Sequence, residues 1–255
     1  MKKIRELNTA TPGLAEYLNS VGANADWNAF RDHNQGASHK ELIEKLIDVQ
    51  HGLCGYCEIN LTEIDRQIEH VIPRNDPQQG ATREVDVTNM IACCKGGTSS
   101  VYAPSERSSD EDRYREPVKD NMSCGQAKGN QNDENFIDPR LLPARPSLTK
   151  VLRDGSITVD EEACESEGIP VARVRKTIEI LNLNAERLRL TRTKYWTELV
   201  ERSGQFDDPD KMNAWIRSVL IPDENGQLAS FFTTARSYFD PLSESILAQP
   251  PQTWI

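Results

Sequence analysis

Apolar residues recur at helical spacing in two long stretches of the chain and alternate only in short ones. Leu42, Ile43, Leu46, Ile47 and Val49 repeat in this way up to His51-Gly52, which predicts an amphipathic helix over 38–49. Ser38, with Glu41 three residues on, reads as its capping box. From Pro170 a second stripe runs through Val171, Val174, Ile178, Leu181, Leu183, Leu188 and Leu190 to Tyr195, Trp196, Leu199 and Val200. The polar pair Asn182 and Asn184 interrupts it, so two helices are expected there. Two shorter helices follow over 208–220 (Met212, Trp215, Ile216, Val219) and 227–239 (Leu228, Phe231, Phe232, Tyr238). A strand is expected over 66–72 and a second strand or short turn over 89–93, with a short helical turn before them at 61–65 and about two turns of helix from Cys124. Residues 148–152 and 156–159 read as a β-hairpin about a two-residue Asp154-Gly155 turn.

Polar stretches divide these elements. Residues 1–25 are polar, with Thr11-Pro12-Gly13 as a breaker, and suggest a loosely attached arm anchored by Trp27 and Phe30. Residues 75–88 read as a polar loop. Residues 95–121 hold few apolar side chains, and a loop of that length inside a domain is usually functional or mobile. Pro139, Pro143 and Pro146 mark a connection, and 160–168 is acidic. The tail after Asp240-Pro241 carries Pro250-Pro251 and reads as a strap or a loose end. The expected organisation is an α+β protein in three parts. These are an arm at 1–37, a core at 38–140 with the insert 95–121, and a hairpin with a helical region at 141–255.

No run approaches the roughly 18 apolar residues a membrane span needs, and the basic N-terminus has no apolar segment behind it. A cytoplasmic location and no membrane partner are therefore expected. Six cysteines in that setting are more often thiols or metal ligands than disulfides. A net charge of −10 is awkward for a nucleic-acid binder, but phosphate needs local rather than total positive charge. Arg173, Arg175, Lys176, Arg187, Arg189, Arg192 and Lys194 supply it against Glu179 and Glu186. A solvated helix face explains the same run equally well.

Cys54-Gly-Tyr-Cys57 makes a turn that aims two sulfurs at one point, and tetrahedral zinc then needs two more ligands. Cys94 and Cys124 are the best second pair, with Cys93 ranked behind Cys94; Cys164 stands alone and reads as a buried thiol. His33, His39 and His51 read as packing or surface residues. His70 differs, because Glu69 precedes it, Pro73 follows it and a zinc knuckle flanks it on each side. A neutral imidazole there can take a proton from water attacking a phosphodiester. Glu69 can hold a divalent cation beside it, provided the strand bends, since neighbours on a strand face opposite ways. Asn89 is suited to fixing the hairpin and orienting His70.

Taken together, Cys54-x-x-Cys57, Glu69-His70-x-x-Pro73, Asn89 five residues before Cys94, and Cys124-x-x-x-Lys128-Gly129 resemble an HNH nuclease of the ββα-metal type. The wider pattern includes Gly52-Leu-Cys-Gly-Tyr-Cys-Glu58, the long insert, Phe136-Ile-Asp-Pro139 and Leu181-Asn-Leu-Asn184. It is similar to the PtuB family, the HNH subunits of Septu antiphage defence systems, also found attached to some retrons. The resemblance implies a zinc-containing HNH ββα-metal core with an N-terminal helix and a helical C-terminal region. It implies a DNA endonuclease with His70 as general base, Glu69 as a ligand of catalytic Mg²⁺ or Mn²⁺, and Asn89 as the middle Asn. Cys54, Cys57, Cys94 and Cys124 would hold a structural Zn²⁺. The implied partners are an ABC or SMC-like ATPase (PtuA) and, in retron settings, a reverse transcriptase with its RNA–DNA product.

One position departs from the pattern. Where many members place a His or Asn ligand after the last cysteine, this chain has Gly125-Gln126, leaving Gln126 and Asn130 as the candidate third donors. Lys128, Arg74 and Lys95 are the candidate contacts to nucleic acid. Two rival readings stand beside this one: a non-catalytic zinc adaptor whose C-terminal aromatics dock an ATPase, and an HNH nuclease that cuts RNA such as tRNA.

Overall fold

The computed structural model describes residues 1–98 and 119–249. Its N-terminal part is not the loose arm the polar sequence implied. Thr11-Pro12-Gly13 starts a helix, α1 (Pro12–Val21), because a first-turn proline lacks only an N–H that would have no helical partner. A second helix, α2 (Trp27–Asp32), is capped by Asp26, which accepts from the Ala29 N–H at 2.9 Å. Both pack on α3 (Ala37–Val49), and Leu14, Tyr17, Trp27, Phe30, Leu42 and Leu46 form one buried cluster with Met90 and Ala92. The expected capping box on α3 is absent. Gly36, in the left-handed region at φ +85°, precedes the helix, and Ser38 lies inside it, its Oγ 2.9 Å from His33 Nδ1. Glu41 instead accepts the Gly13 N–H at 2.8 Å, satisfying an orphan donor in the first turn of α1.

Strands β1 (Gln67–His70) and β2 (Met90–Cys93) pair antiparallel, with Glu69 opposite Ile91 and His70 opposite Met90. The connection between them is not one polar loop: it contains a short helix, α4 (Gly80–Arg83), and a 3₁₀ turn at Val87–Asn89. Residues 61–65 form bends rather than the expected helical turn. On the side of β2 away from β1, the buried amide of Gln50 pairs with Ala92 as a strand would, accepting its N–H at 2.7 Å and donating to its carbonyl at 2.8 Å. After the insert, α5 (Cys124–Lys128) spans five residues, shorter than the two turns expected.

Strands β3 (Thr149–Val151) and β4 (Ile157–Val159) form the second hairpin. Its turn holds three residues, not two: Leu152 donates to the Ser156 carbonyl at 2.8 Å and Gly155 to Leu152 at 2.9 Å, with Gly155 at φ +75°. The acidic stretch forms α6 (Glu161–Ser166), capped by Asp160. The long stripe breaks where Asn182 and Asn184 stand, into α7 (Val171–Ile180) and α8 (Glu186–Ser203). Helices α9 (Pro209–Leu220), α10 (Phe232–Tyr238) and α11 (Leu242–Leu247) close the chain.

The C-terminal aromatics are core. Trp215, Phe232 and Phe239 are buried with Leu53, Leu199 and Leu220, which removes the argument that they mark a partner surface. Nor is the tail loose as far as 249, since Ile246 and Leu247 of α11 are buried in the same cluster; residues 250–255 lie outside the described residues. The basic run is likewise thinner than its sequence. Arg187 donates to the Asn121 carbonyl at 3.1 Å and Arg192 to those of Gly155 and Leu183 at 2.6 Å, so both are internal. Most of the insert 95–121 also lies outside the described residues. Among those described, no helix is long and apolar enough to cross a membrane.

Candidate functional site

The cysteines are positioned by three separate pieces of backbone. Cys54-Gly-Tyr-Cys57 turns tightly, with the Glu58 N–H on the Cys54 carbonyl at 3.1 Å and the Cys54 N–H on that of Ile59 at 2.8 Å. Cys94 follows β2 directly, and its N–H points at Cys54 Sγ, 3.4 Å away. Gly96, at φ +60°, then returns its own N–H to Cys94 Sγ at 3.4 Å. A Cβ on Gly96 would stand 2.3 Å from the Ser123 carbonyl oxygen, so the turn needs glycine. Ser123 donates its N–H to Gly96 at 3.1 Å, which closes the stem of the insert. Cys124 is held by its N–H on the Leu181 carbonyl at 2.8 Å, while Asn182 donates to Asp120 and Met122.

The Sγ atoms of Cys54, Cys57, Cys94 and Cys124 all lie within 4.8 Å of one another and are buried. The Cys54–Cys124 and Cys57–Cys94 separations are 3.9 and 3.7 Å. Four ligands about 2.3 Å from a tetrahedral zinc stand about 3.8 Å apart. The donor set and its spacing therefore fit zinc. Cys93 Sγ lies 3.9 Å from that of Cys54 but is not one of the four. Burial pushes the Cys124 thiol well up, whereas burial of Cys54 is outweighed by hydrogen bonds from the neighbouring thiols, which hold it well down.

Beside this cluster, Glu69 and His70 line one open cleft of about 480 Å³, together with Trp27, Pro73, Arg74, Gly125, Gln126 and Asn130. The bend expected of the strand is unnecessary. Glu69 lies against α5 and His70 against α2, on the two sides of β1, and the cleft spans the strand end. His70 Nε2 is 2.8 Å from the Glu84 carbonyl oxygen. A carbonyl only accepts, so Nε2 carries the hydrogen and Nδ1 keeps the lone pair. The Trp27 ring meets the imidazole edge-on at 4.6 Å and 89°. Burial lowers the His70 pKa to about 4, against a smaller upward pull from the Glu84 hydrogen bond. The imidazole is thus neutral at physiological pH, the state a general base requires.

The hydrogen bonds of the Asn89 side chain go not to His70 but to the chain around it. Its Oδ1 accepts the Ile72 N–H at 2.8 Å, and its Nδ2 donates to the carbonyls of Ile72 at 3.0 Å and Arg83 at 3.2 Å. The next carbonyl after Arg83 is the Glu84 oxygen that His70 holds. Burial raises the Glu69 pKa, opposed by Lys128, whose Nζ lies 3.4 Å from Oε1. A Cβ on Gly125 would stand 2.4 Å from Glu69 Oε2, so the carboxylate occupies the space where a side chain after Cys124 would begin. Gln126 and Asn130 remain on the cleft, Gln126 with its Nε2 3.3 Å from Gln67 Oε1.

The three expected nucleic-acid contacts part company. Arg74 lines the cleft and donates to Asn28 at 3.3 Å. Lys95 is not among the cleft residues, and its backbone N–H is held by Asp65 at 2.8 Å. Lys128 is 1% exposed, so it is not a surface contact to phosphate. Trp27 was read only as an apolar anchor and proves to wall the cleft. Nothing local marks it, because its role arises from α2 folding back over β1.

No protein-family model matches the chain. It is similar to an Escherichia coli protein named "Retron Ec83 putative HNH endonuclease", with 29% identity over 216 residues, or 76% of this chain and 78% of that one. The likeness supports an HNH endonuclease. A match of that length necessarily includes the segment that carries Glu69, His70, Asn89, Cys94 and Cys124.

Proposed function

We propose that the protein is an HNH endonuclease of the ββα-metal type that hydrolyses phosphodiester bonds in DNA. One observation carries this reading. A neutral histidine with a free Nδ1 and a carboxylate share a cleft against a zinc-type cysteine cluster. In this mechanism His70 Nδ1 takes the proton of the attacking water, and the Glu84 carbonyl keeps the ring oriented as it becomes positively charged. Trp27 limits access of bulk water to the ring, and Asn89 holds the backbone on both sides. Glu69 with the amide oxygens of Gln126 and Asn130 offers the hard donors that suit Mg²⁺ or Mn²⁺. Such an ion, when bound, supplies positive charge to the reacting phosphate. Cys54, Cys57, Cys94 and Cys124 hold a structural Zn²⁺.

The wider resemblance and the retron in the relative's name support a role in antiphage defence. There the nuclease works with an ABC or SMC-like ATPase, and with a reverse transcriptase and its RNA–DNA product where a retron is present. Plasmid and phage DNA incubated with the protein and its ATPase, with Mg²⁺ or Mn²⁺, tests the activity. Cleavage is expected, abolished by chelator and reduced at least about 100-fold in His70→Ala. Equal cutting by wild type and variant would overturn the assignment of the base. Cutting of RNA alone would replace the substrate. The bare Gly125 position favours one second reading, a zinc adaptor without catalysis, and absence of any cleavage from zinc-loaded protein would select it.

A further inference from the structure

Glu69 reaches the cleft as the only carboxylate among its described lining residues, yet its side chain is 13% exposed and already has a cation. Lys128 is the last residue of α5, one turn beyond Cys124, so the helix anchored at the cysteine cluster fixes its reach. Its ammonium lies 3.4 Å from Glu69 Oε1 and 3.4 Å from the carbonyl oxygen of His70, with the Phe136 ring 5.9 Å away on the apolar side. Glu69 Oε2 faces Gly125. A buried lysine is costly unless paired, and this one is paired with the very group that the proposed reaction assigns to a divalent ion.

We propose that Lys128 is the resident counter-cation of Glu69 and opposes the binding of the divalent ion there, which keeps the metal affinity of the empty cleft low. The inference rests on the endonuclease reading, since that reading makes Glu69 a metal ligand. Two positive centres sharing one carboxylate repel each other, and beside a pair whose side chains are only 1% and 13% exposed the repulsion is weakly screened. A substrate phosphate brings the negative charge that lets both cations stay. The ion is therefore taken up together with the nucleic acid rather than before it.

Mn²⁺ titrations of the zinc-loaded full chain, read by the electron paramagnetic resonance of free Mn²⁺, test this without an activity measurement. Lys128→Met is expected to bind Mn²⁺ at least about ten-fold tighter than wild type, while Lys128→Arg, which keeps the charge, stays near wild type. Glu69→Gln should abolish the tightening when combined with Lys128→Met. Zinc content and thermal melting report whether each variant folds. If Lys128→Met does not, Lys128→Gln retains a donor for the His70 carbonyl and carries the same expectation. Unchanged or weaker Mn²⁺ binding in the folded neutral variant overturns the competition. Mn²⁺ binding indifferent to Glu69→Gln overturns the metal role of Glu69 itself, and with it the metal part of the endonuclease reading.

Discussion

His70 stores a dependence on pH in its burial. Its pKa is lowered to about 4 in the folded chain against about 6.5 for an unperturbed imidazole. The unfolded chain therefore binds more protons between those values, and the stability from keeping His70 neutral is fully present above about pH 6.5 and lost as pH falls toward 4. In the metal-free protein the urea midpoint should fall across that window, and His70→Gln should flatten the fall, by up to about 3 kcal/mol. The acid limb of cleavage should accordingly lie well below the usual imidazole range. Asn89 makes a different kind of contribution. Its side chain is buried and makes three hydrogen bonds, so Asn89→Ala removes the partner of the Ile72 N–H and should cost about 2–4 kcal/mol in urea unfolding. Both positions stood out in the sequence by their neighbours, Glu69 and Pro73 around His70 and Cys94 after Asn89. Their partners did not: a backbone carbonyl such as Glu84 has no identity in a sequence.

At the scale of elements, periodicity found what is amphipathic. The stripe of 171–200 predicted α7 and α8 with their break, and the alternation near 149 and 157 predicted a hairpin, though with one residue too few in its turn. The N-terminal helices escaped because α1 and α2 are short and expose much of their length, and their few anchors, Leu14, Tyr17, Trp27 and Phe30, are buried together against α3. The contact of α5 with β1 was equally hidden. Gly125 read as a missing ligand, whereas the structure makes it the clearance for the Glu69 carboxylate. Gly125→Ala should therefore displace Glu69 from Lys128 and lower stability by about 1–3 kcal/mol, measurable as a lower urea midpoint with zinc content unchanged. Gln50 is a similar case. This buried glutamine just beyond α3 completes the free side of Ala92 where a third strand would otherwise sit.

Across the whole molecule, the cysteine cluster joins three parts of the chain. The turn at 54–57 leads from the N-terminal helices, Cys94 ends the β1–β2 hairpin, and Cys124 opens the helix that carries Lys128 and leans on α7. Zinc bound there would be felt in the folding of every part. Chelation under denaturing stress, or Cys124→Ser, should lower the melting temperature by about 10 °C or more, and added zinc should restore the first but not the second. The same stem, closed by Ser123 on Gly96, has a consequence for how this chain can vary. Twenty-nine residues lie between Cys94 and Cys124, yet the two meet at one point. The entropy of closing such a loop grows only with the logarithm of its length, by about 0.6 kcal/mol for each doubling. Once the two ends are clamped, residues can be added or removed between them at almost no expense to the fold, so lineages can lengthen or rewrite this stretch while the geometry of the cleft stays put.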